Sequence, residues 1–406
     1  MPPDAMTSIC IYLQIHQPYR LKHYRVFDAG NDSEYFNDAS ESDLNNSRIL
    51  RKVAEKSYLP TALLLLRMLE EHPGFRVSLS LSGIVVKQLE RDAPEVLELF
   101  KRMVATGRVE ILGETYYHSL AFFYSLPEFE RQVAKHRELI ARVFGVEPRV
   151  FRNTELSYRN DLGTWADAQG YAGVITEGWD AILGWRSPNF VYRPKGASQA
   201  RLLLKNYRFS DDIAFRFSSR AWGEWPLTVE KFGQWVAAAE GDTINLFMDF
   251  ETFGEHQWKE TGIFDFLEHL PRELSKNPRI DFKTPSEVIA AYEPKDEVDI
   301  PHILTWADTD RDLTAWVGND LQRSAIEKLY GLETGVLASS DTKLVEDWRR
   351  LQTSDHFYYM CTKWSADGDV HAYFSPYASP YEAFTSYMSA LVDLEVRLRR
   401  GEAVSP

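Results

Sequence analysis

Seven short runs of apolar or β-branched residues recur along the chain, most followed by a stretch whose apolar residues repeat at helical spacing. They are Ile9–Ile15, Arg76–Leu81, Val109–Leu112, Arg149–Arg152, Ala172–Ile175, Leu202–Phe209 and Thr243–Phe250. The sixth is ambiguous, because Leu202–Leu204 can equally close a helix. Amphipathic segments such as Thr61–Glu71, Pro94–Ala105 and Glu128–Phe144 lie between the runs. Ser125 and Glu128 have the spacing of a capping box, in which two side chains satisfy orphaned backbone N–H groups. Thr284 and Glu287 repeat the device, with Pro285 in the first helical turn. Alternating strand and helix predicts an α/β fold with a parallel sheet, and seven repeats can close or nearly close a barrel. The charged stretch Glu293–Pro301 has two prolines and reads as a linker. Beyond it, Leu313–Tyr330, Thr342–Leu351 and Ser379–Arg399 predict helices. The expected organisation is a barrel over 1–292, a linker over 293–301 and a helical domain over 302–406.

Each predicted strand runs into a polar residue at its C-terminal end: His16, Ser82, Glu114, Glu155, Glu177, Asp211/Asp212 and Asp249. In a barrel of parallel strands those ends share one face, where active sites are built. Strands must end in something polar, but so many carboxylates on one rim are electrostatically costly, and such clusters are kept for chemistry. Paired carboxylates suit glycosidic bond cleavage, in which one protonates the departing oxygen and the other attacks the anomeric carbon or activates water. Glu155 and Asp249, on the fourth and seventh strands, are the candidates. Only a closed sheet can bring them together.

Composition narrows the partners. The net charge of −14 argues against nucleic acid, whose phosphates need Lys/Arg stripes, and is indifferent to a neutral polysaccharide. Aromatics make up 13% of the chain, with eleven Trp and twenty Tyr. Partly exposed indoles suit the apolar faces of sugar rings, although packing accounts for many of them. Two cysteines, Cys10 and Cys361, make no disulfide framework and fit a reducing compartment. No apolar run reaches 18 residues, so no membrane span is expected. Met1–Thr7 lacks the pattern of a secretory leader. A cytoplasmic location is the expectation; the oligomeric state is undetermined.

Five separated segments then become specific: His16-Gln-Pro18; Gly107 to His118, with Glu114, Tyr116 and Tyr117; Phe151-Arg-Asn-Thr-Glu-Leu156; Leu246 to His256, with Asp249 and Glu251; and Leu351 to Met360, with Asp355. Together they resemble glycoside hydrolase family 57, in particular its intracellular α-amylase group. The resemblance implies an incomplete seven-stranded (β/α) barrel followed by a C-terminal helical region that contributes to the active-site cleft. It implies retaining cleavage of α-1,4-linked glucans or maltooligosaccharides, with Glu155 as nucleophile and Asp249 as general acid/base. It also implies that His16, Glu114, Trp258 and Asp355 line the substrate subsites. Trp306, Asp308 and Asp312 are similar in kind. No metal and no cofactor are expected.

The residues themselves leave other roles open. A nucleophile must stay ionised, so Arg152 or another donor should stabilise Glu155. Asp249 lies in an apolar strand, where desolvation favours the protonated form an acid catalyst needs. Glu251 shares its face if the strand continues, as a substitute acid or a ligand to sugar hydroxyls. His16 could be a core histidine, although Pro18 fixes the exit turn beside it. Glu114 and His118 flank an aromatic pair suited to a sugar platform. Tyr358 and Tyr359 could serve likewise or lie on a buried helix face. Asp355 or Ser354 could instead cap a helix. A zinc deacetylase on a similar barrel would need His and Asp ligands; Asp211 and Asp212 lack a suitably spaced His pair, and His302 and His371 are isolated. A 4-α-glucanotransferase or branching-type transglycosylase and a silent glycan-binding protein are the remaining alternatives.

Overall fold

Every residue of the strand Thr7–Ile15 (β1) is buried, which is why its sequence reads as a near-continuous apolar run rather than an alternating one. The computed structural model describes residues 6–38, 44–363 and 375–402. Its contacts divide it into two compact units. The first comprises Met1–His16, Arg51–Glu114 and Lys135–Trp306; the second comprises Gln17–Leu50, Thr115–Ala134 and Ala307–Pro406.

The first unit holds β1, β2 (Val77–Leu81), β3 (Val109–Ile111), β4 (Val150–Arg152), β5 (Gly173–Glu177), β6 (Arg201–Lys205), β7 (Thr243–Asp249) and β8 (Ile280–Phe282). Strands β3, β2, β1 and β7 pair in that order, all parallel. Strands β4, β5 and β6 form a second parallel run. Backbone bonds join the two runs: Gly113 N–H donates to Val150 O at 2.9 Å, and Arg152 N–H to Gly113 O at 2.8 Å. At the other junction Asn206 N–H donates to Asn245 O at 2.9 Å, and the Asn245 side chain donates to Leu204 O at 2.8 Å. The seven strands β1 to β7 thus close into a ring one strand short of the eight-stranded barrel.

The period of two along each strand sorts side chains between the ring's interior and its helical coat. Cys10 and Tyr12 of β1 pack inside with Val150, Ile175, Leu203 and Phe247. The Tyr12 and Phe247 rings meet edge-on at 5.6 Å. Ile11 and Leu13, one residue out of phase, line the opposite side with Leu246, Met248 and Phe266. By the same alternation Gln14 follows Cys10 and Tyr12 inward, and Asp249 follows Phe247. An apolar plug therefore lies beneath a polar layer at the strands' C-terminal ends.

Several expected elements differ in detail. The sixth run splits: β6 ends at Lys205, Asn206 accepts the N–H of Phe209 at 3.1 Å, and Tyr207–Asp211 is helical. An N-cap residue, rather than apolarity, sets that boundary. Strand β8, whose two apolar residues Ile280 and Phe282 alternate with polar neighbours and were not marked by the apolar runs, pairs with Thr7–Ile9 of β1. The stretch 293–301, read as a linker, contributes Glu297–Val298, which pairs in parallel with Arg193–Pro194. Val298 and Ile300 are fully buried, and Asp296 and Asp299 form ion pairs with Arg186 and Lys195 at 2.8 and 2.5 Å. The Thr284–Glu287 capping box forms in both directions.

In the second unit the helix foreseen over Leu313–Tyr330 is two, Thr314–Val317 and Asp320–Gly331. They part at Asn319, whose capping box with Gln322 restarts the helix. Helices Thr342–Arg350 and Pro380–Glu402 lie near their expected spans. Trp316 and Trp348 are fully buried. Ser125 accepts the Glu128 N–H at 3.3 Å. The Glu128 carboxylate, itself fully buried, pairs with Arg131 and Arg349 at 2.9 Å each. Two guanidinium partners compensate the desolvation of that charge.

Candidate active site

Arg152, the last residue of β4, is fully buried in the polar layer. An uncompensated guanidinium there would be costly. Its partners come from elsewhere in the ring: it stands 3.7 Å from the buried Glu114 carboxylate, just past β3, and donates to the Gln14 side-chain oxygen of β1. Glu114 follows the β3–β4 bridge at Gly113. Its N–H donates to His136 Nδ1 at 3.4 Å, so His136 carries its proton on Nε2, facing Leu81 O at 2.9 Å. Burial holds the His136 pKa below its ordinary value, with Glu114 opposing.

Glu155 lies three residues past Arg152, in the tight turn Thr154–Leu156. Its backbone is left-handed, φ 60° and ψ 27°, and Leu156 follows at φ 51°. Such residues cost about 1–3 kcal/mol each and persist where surrounding structure over-determines them. Here Thr176 Oγ1 donates to Leu156 O at 2.7 Å, Asn153 Nδ2 to Ser157 Oγ at 3.0 Å, and Trp306 N–H to Glu155 O at 3.3 Å. The Trp306 indole Nε1–H also donates to Glu155 Oε2 at 2.8 Å. The expected donor to Glu155 was Arg152 or another group; the indole is one such donor, and the Arg152 guanidinium lies over the indole ring at 5.6 Å. The Lys205 ammonium lies over the same ring at 5.5 Å.

Asp249 ends β7, partly buried, with its Cα opposite Gln14. Its influence reaches the core: burial raises the Tyr12 pKa, Arg152 opposes, and the Glu114 and Asp249 carboxylates add to the rise. The strand stops at Asp249, so the condition under which Glu251 would share its face by strand alternation is not met. It sits in the turn Phe250–Thr252 and accepts a hydrogen bond from the Tyr58 hydroxyl. Tyr58 closes a π-helical turn, Ala54–Tyr58. Thr61 Oγ1, just beyond, donates to Phe253 O at 3.1 Å. Gly254, at φ 106°, packs so closely that a Cβ would lie 2.1 Å from Lys56 O. The extra residue of a π turn re-aims side chains, a device frequent at functional sites.

Other predicted positions fall as follows. His16 Nδ1 is 2.8 Å from Ser82 Oγ. Glu177 and Asp211 flank the buried Lys205 at 3.6 and 2.9 Å, and Asp212 pairs with Arg216 at 2.6 Å. Trp258 is 59% exposed. Asp308, Asp312 and Asp355 belong to the second unit. There Asp308 pairs with Lys363 at 3.2 Å, and Asp312 accepts from Thr314 N–H at 2.8 Å. Asp355 lies within the short helix Ser354–Tyr358, whose cap position is Thr353. Tyr116 and Tyr117, read as a sugar platform, are buried, and Tyr117 donates to Glu346 at 2.6 Å. Tyr359 is buried too. His371 lies outside the described residues.

Contacts thus link Glu114 to Arg152, Arg152 to the Trp306 ring and Trp306 to Glu155, while Asp249 ends β7 opposite Gln14. Gln14, Tyr58, His136 and Lys205 were missed. Gln14 carried a signal, being polar within the apolar run of β1 and in phase with Tyr12. Lys205, at the end of Leu202–Leu204, was absorbed into an overlong strand.

A family model, Glycosyl hydrolase family 57, matches residues 10–301. A candidate alpha-amylase of Methanocaldococcus jannaschii is 41% identical over 404 residues, spanning 96% of this chain and 85% of that protein. An alpha-amylase of Pyrococcus horikoshii is 23% identical over 62% of this chain, which spans only 39% of its length. Among solved structures, a branching enzyme of Thermococcus kodakaraensis superposes with a TM-score of 0.70 at 12% identity, over 98% of this chain and 92% of that one. A 4-alpha-glucanotransferase of Thermococcus litoralis gives 0.66 at 15% identity, over 87% of this chain and 56% of that one. With the family model covering most of its length, a relative at 41% identity and a ring of parallel strands carrying acids at their ends, this chain belongs to glycosyl hydrolase family 57.

Proposed function

We propose that the chain is a retaining glycosidase of α-1,4-linked glucans, with Glu155 as nucleophile and Asp249 as general acid/base. The observation that carries this reading is the placement of Glu155: a carboxylate in a strained turn at the end of a barrel strand, with an indole N–H aimed at one oxygen. Such a bond is strongest to the ionised form, the form a nucleophile needs. Asp249, in the apolar end of β7 and opposite Gln14, supplies the second acid. The α-glucan assignment rests on the names of relatives, alpha-amylase foremost.

In the first step Asp249 gives its proton to the glycosidic oxygen as that bond breaks, and Glu155 attacks the anomeric carbon to form a glycosyl ester. In the second, Asp249 takes a proton from water, the water oxygen attacks the anomeric carbon, and Glu155 leaves as carboxylate. His16, Glu114, Arg152, Glu251 and Trp258 are assigned to binding sugar hydroxyls and ring faces. A cytoplasmic setting belongs to the same reading, on the scarcity of cysteine.

Transfer to a sugar acceptor instead of water uses the same intermediate, and the names branching enzyme and 4-alpha-glucanotransferase among similar proteins favour it as the second reading. Time-resolved NMR of maltooligosaccharide products tests both. First-formed α-anomers are expected, with longer oligosaccharides appearing if transfer dominates. First-formed β-anomers would overturn the retaining assignment.

A further inference from the structure

We infer that Lys205 is a positioning residue for the nucleophile, acting on Glu155 through the indole of Trp306; this rests on the proposed role of Glu155. Lys205 ends β6 and is 4% exposed. A buried ammonium is expensive unless paired, and Glu177 and Asp211 hold it at 3.6 and 2.9 Å. The ammonium lies over the Trp306 ring at 5.5 Å. The same ring's N–H donates to Glu155 at 2.8 Å.

Two consequences follow from this geometry. A cation over an indole is attracted by the ring's quadrupole and restrains its orientation, which keeps Nε1–H directed at the carboxylate. It also draws electron density from the ring, so the N–H becomes a stronger donor, in the way that linked hydrogen bonds polarise one another. Both effects favour ionised Glu155 without Lys205 touching substrate. Among the described residues, the charged groups linked to the indole include Arg152 of β4 with its partner Glu114, and Lys205 of β6 with its partners Glu177 of β5 and Asp211 of the helix after β6. Arg152 lies over the same ring at 5.6 Å and, like Lys205, is itself ion-paired, here with Glu114.

The test compares Lys205→Met and Lys205→Arg with wild type through pH profiles of kcat/KM and kcat, alongside thermal unfolding. Lys205→Met is expected to move the acidic limb upward by about half to one pH unit and to lower kcat with KM little changed. Lys205→Arg keeps the charge and restores the limb. Because Lys205→Met leaves two buried acids unpaired, the triple variant Lys205→Met/Glu177→Gln/Asp211→Asn serves as the folded version of the same test. Neutralising those two acids by itself lowers the limb, so the triple variant is read against Glu177→Gln/Asp211→Asn, and an acidic limb no higher than in that double variant overturns the inference. Glu155→Gln is run beside it: substantial activity there defeats the assignment of Glu155 itself, whatever Lys205 does.

Discussion

The hydroxyl of Tyr58 donates to the carboxylate of Glu251, 193 residues further along the chain. The bond fastens the turn after Asp249 to a π-helical turn, and Glu251 is only 6% exposed. Tyr58→Phe leaves a buried acceptor short of its donor, which costs about 1–3 kcal/mol. Urea unfolding should show that loss, and kcat should fall further than stability alone explains. Unchanged kcat in the folded variant would detach Tyr58 from the acid/base loop.

Glu155→Gln and Asp249→Asn should each lower kcat by several orders of magnitude, on the order of the losses seen when a catalytic group is removed, with thermal unfolding close to wild type. Azide should restore turnover to Asp249→Ala with an azido-sugar product, because azide attacks the anomeric carbon of the glycosyl ester in place of water, expels the Glu155 carboxylate and needs no general base. Glu155→Gln should not respond in that way. Near-normal turnover in either single variant rejects that residue's role.

Arg152 and Glu114, both fully buried and 3.7 Å apart, form a pair whose members depend on each other. Arg152→Met strands the Glu114 charge and should cost about 3–5 kcal/mol. Adding Glu114→Gln should recover much of that stability while activity stays low. A double-mutant cycle on denaturation midpoints reads the coupling, and additivity of the two losses would mean that the pair is not coupled.

His256 supplies a pH prediction. The residue as a whole is half-buried, and burial of the imidazole lowers its pKa from 6.5 to about 4. The unfolded chain therefore binds this proton at a pH where the folded chain refuses it. Above about pH 6.5 the residue costs nothing; between 6.5 and 4 stability falls as pH falls; below 4 both states are protonated and the loss levels off. At its limit the loss is roughly 3 kcal/mol. Urea midpoints at pH 7 and pH 5 should separate wild type from His256→Gln, whose stability should lack this component. Equal pH dependence in both would contradict the assignment.

Periodicity marked seven strands whose cores lie where the apolar runs are, because strands buried on both faces leave a continuous hydrophobic signature. It could not mark β8, whose two apolar residues alternate with polar neighbours and which is carried by pairing with Thr7–Ile9, nor end the sixth strand at Lys205, where the cap at Asn206 takes over. The stretch 293–301 looked detached because its polar residues dominate. Its two buried residues, Val298 and Ile300, are too few to show against that background.

The amino-acid sequence by itself determined the alternation of strand and helix, the acids that end the strands and the family to which the chain belongs, because these are properties of residue type and spacing. The tertiary structure alone decided which partner each acid receives. Trp306 reaches Glu155 across 151 positions, Arg152 turns to Glu114 and Gln14, and Tyr58 rather than strand pairing holds Glu251. Hydrogen bonds and ion pairs act over a few ångströms, and only closure of the ring brings groups so distant along the chain within that range.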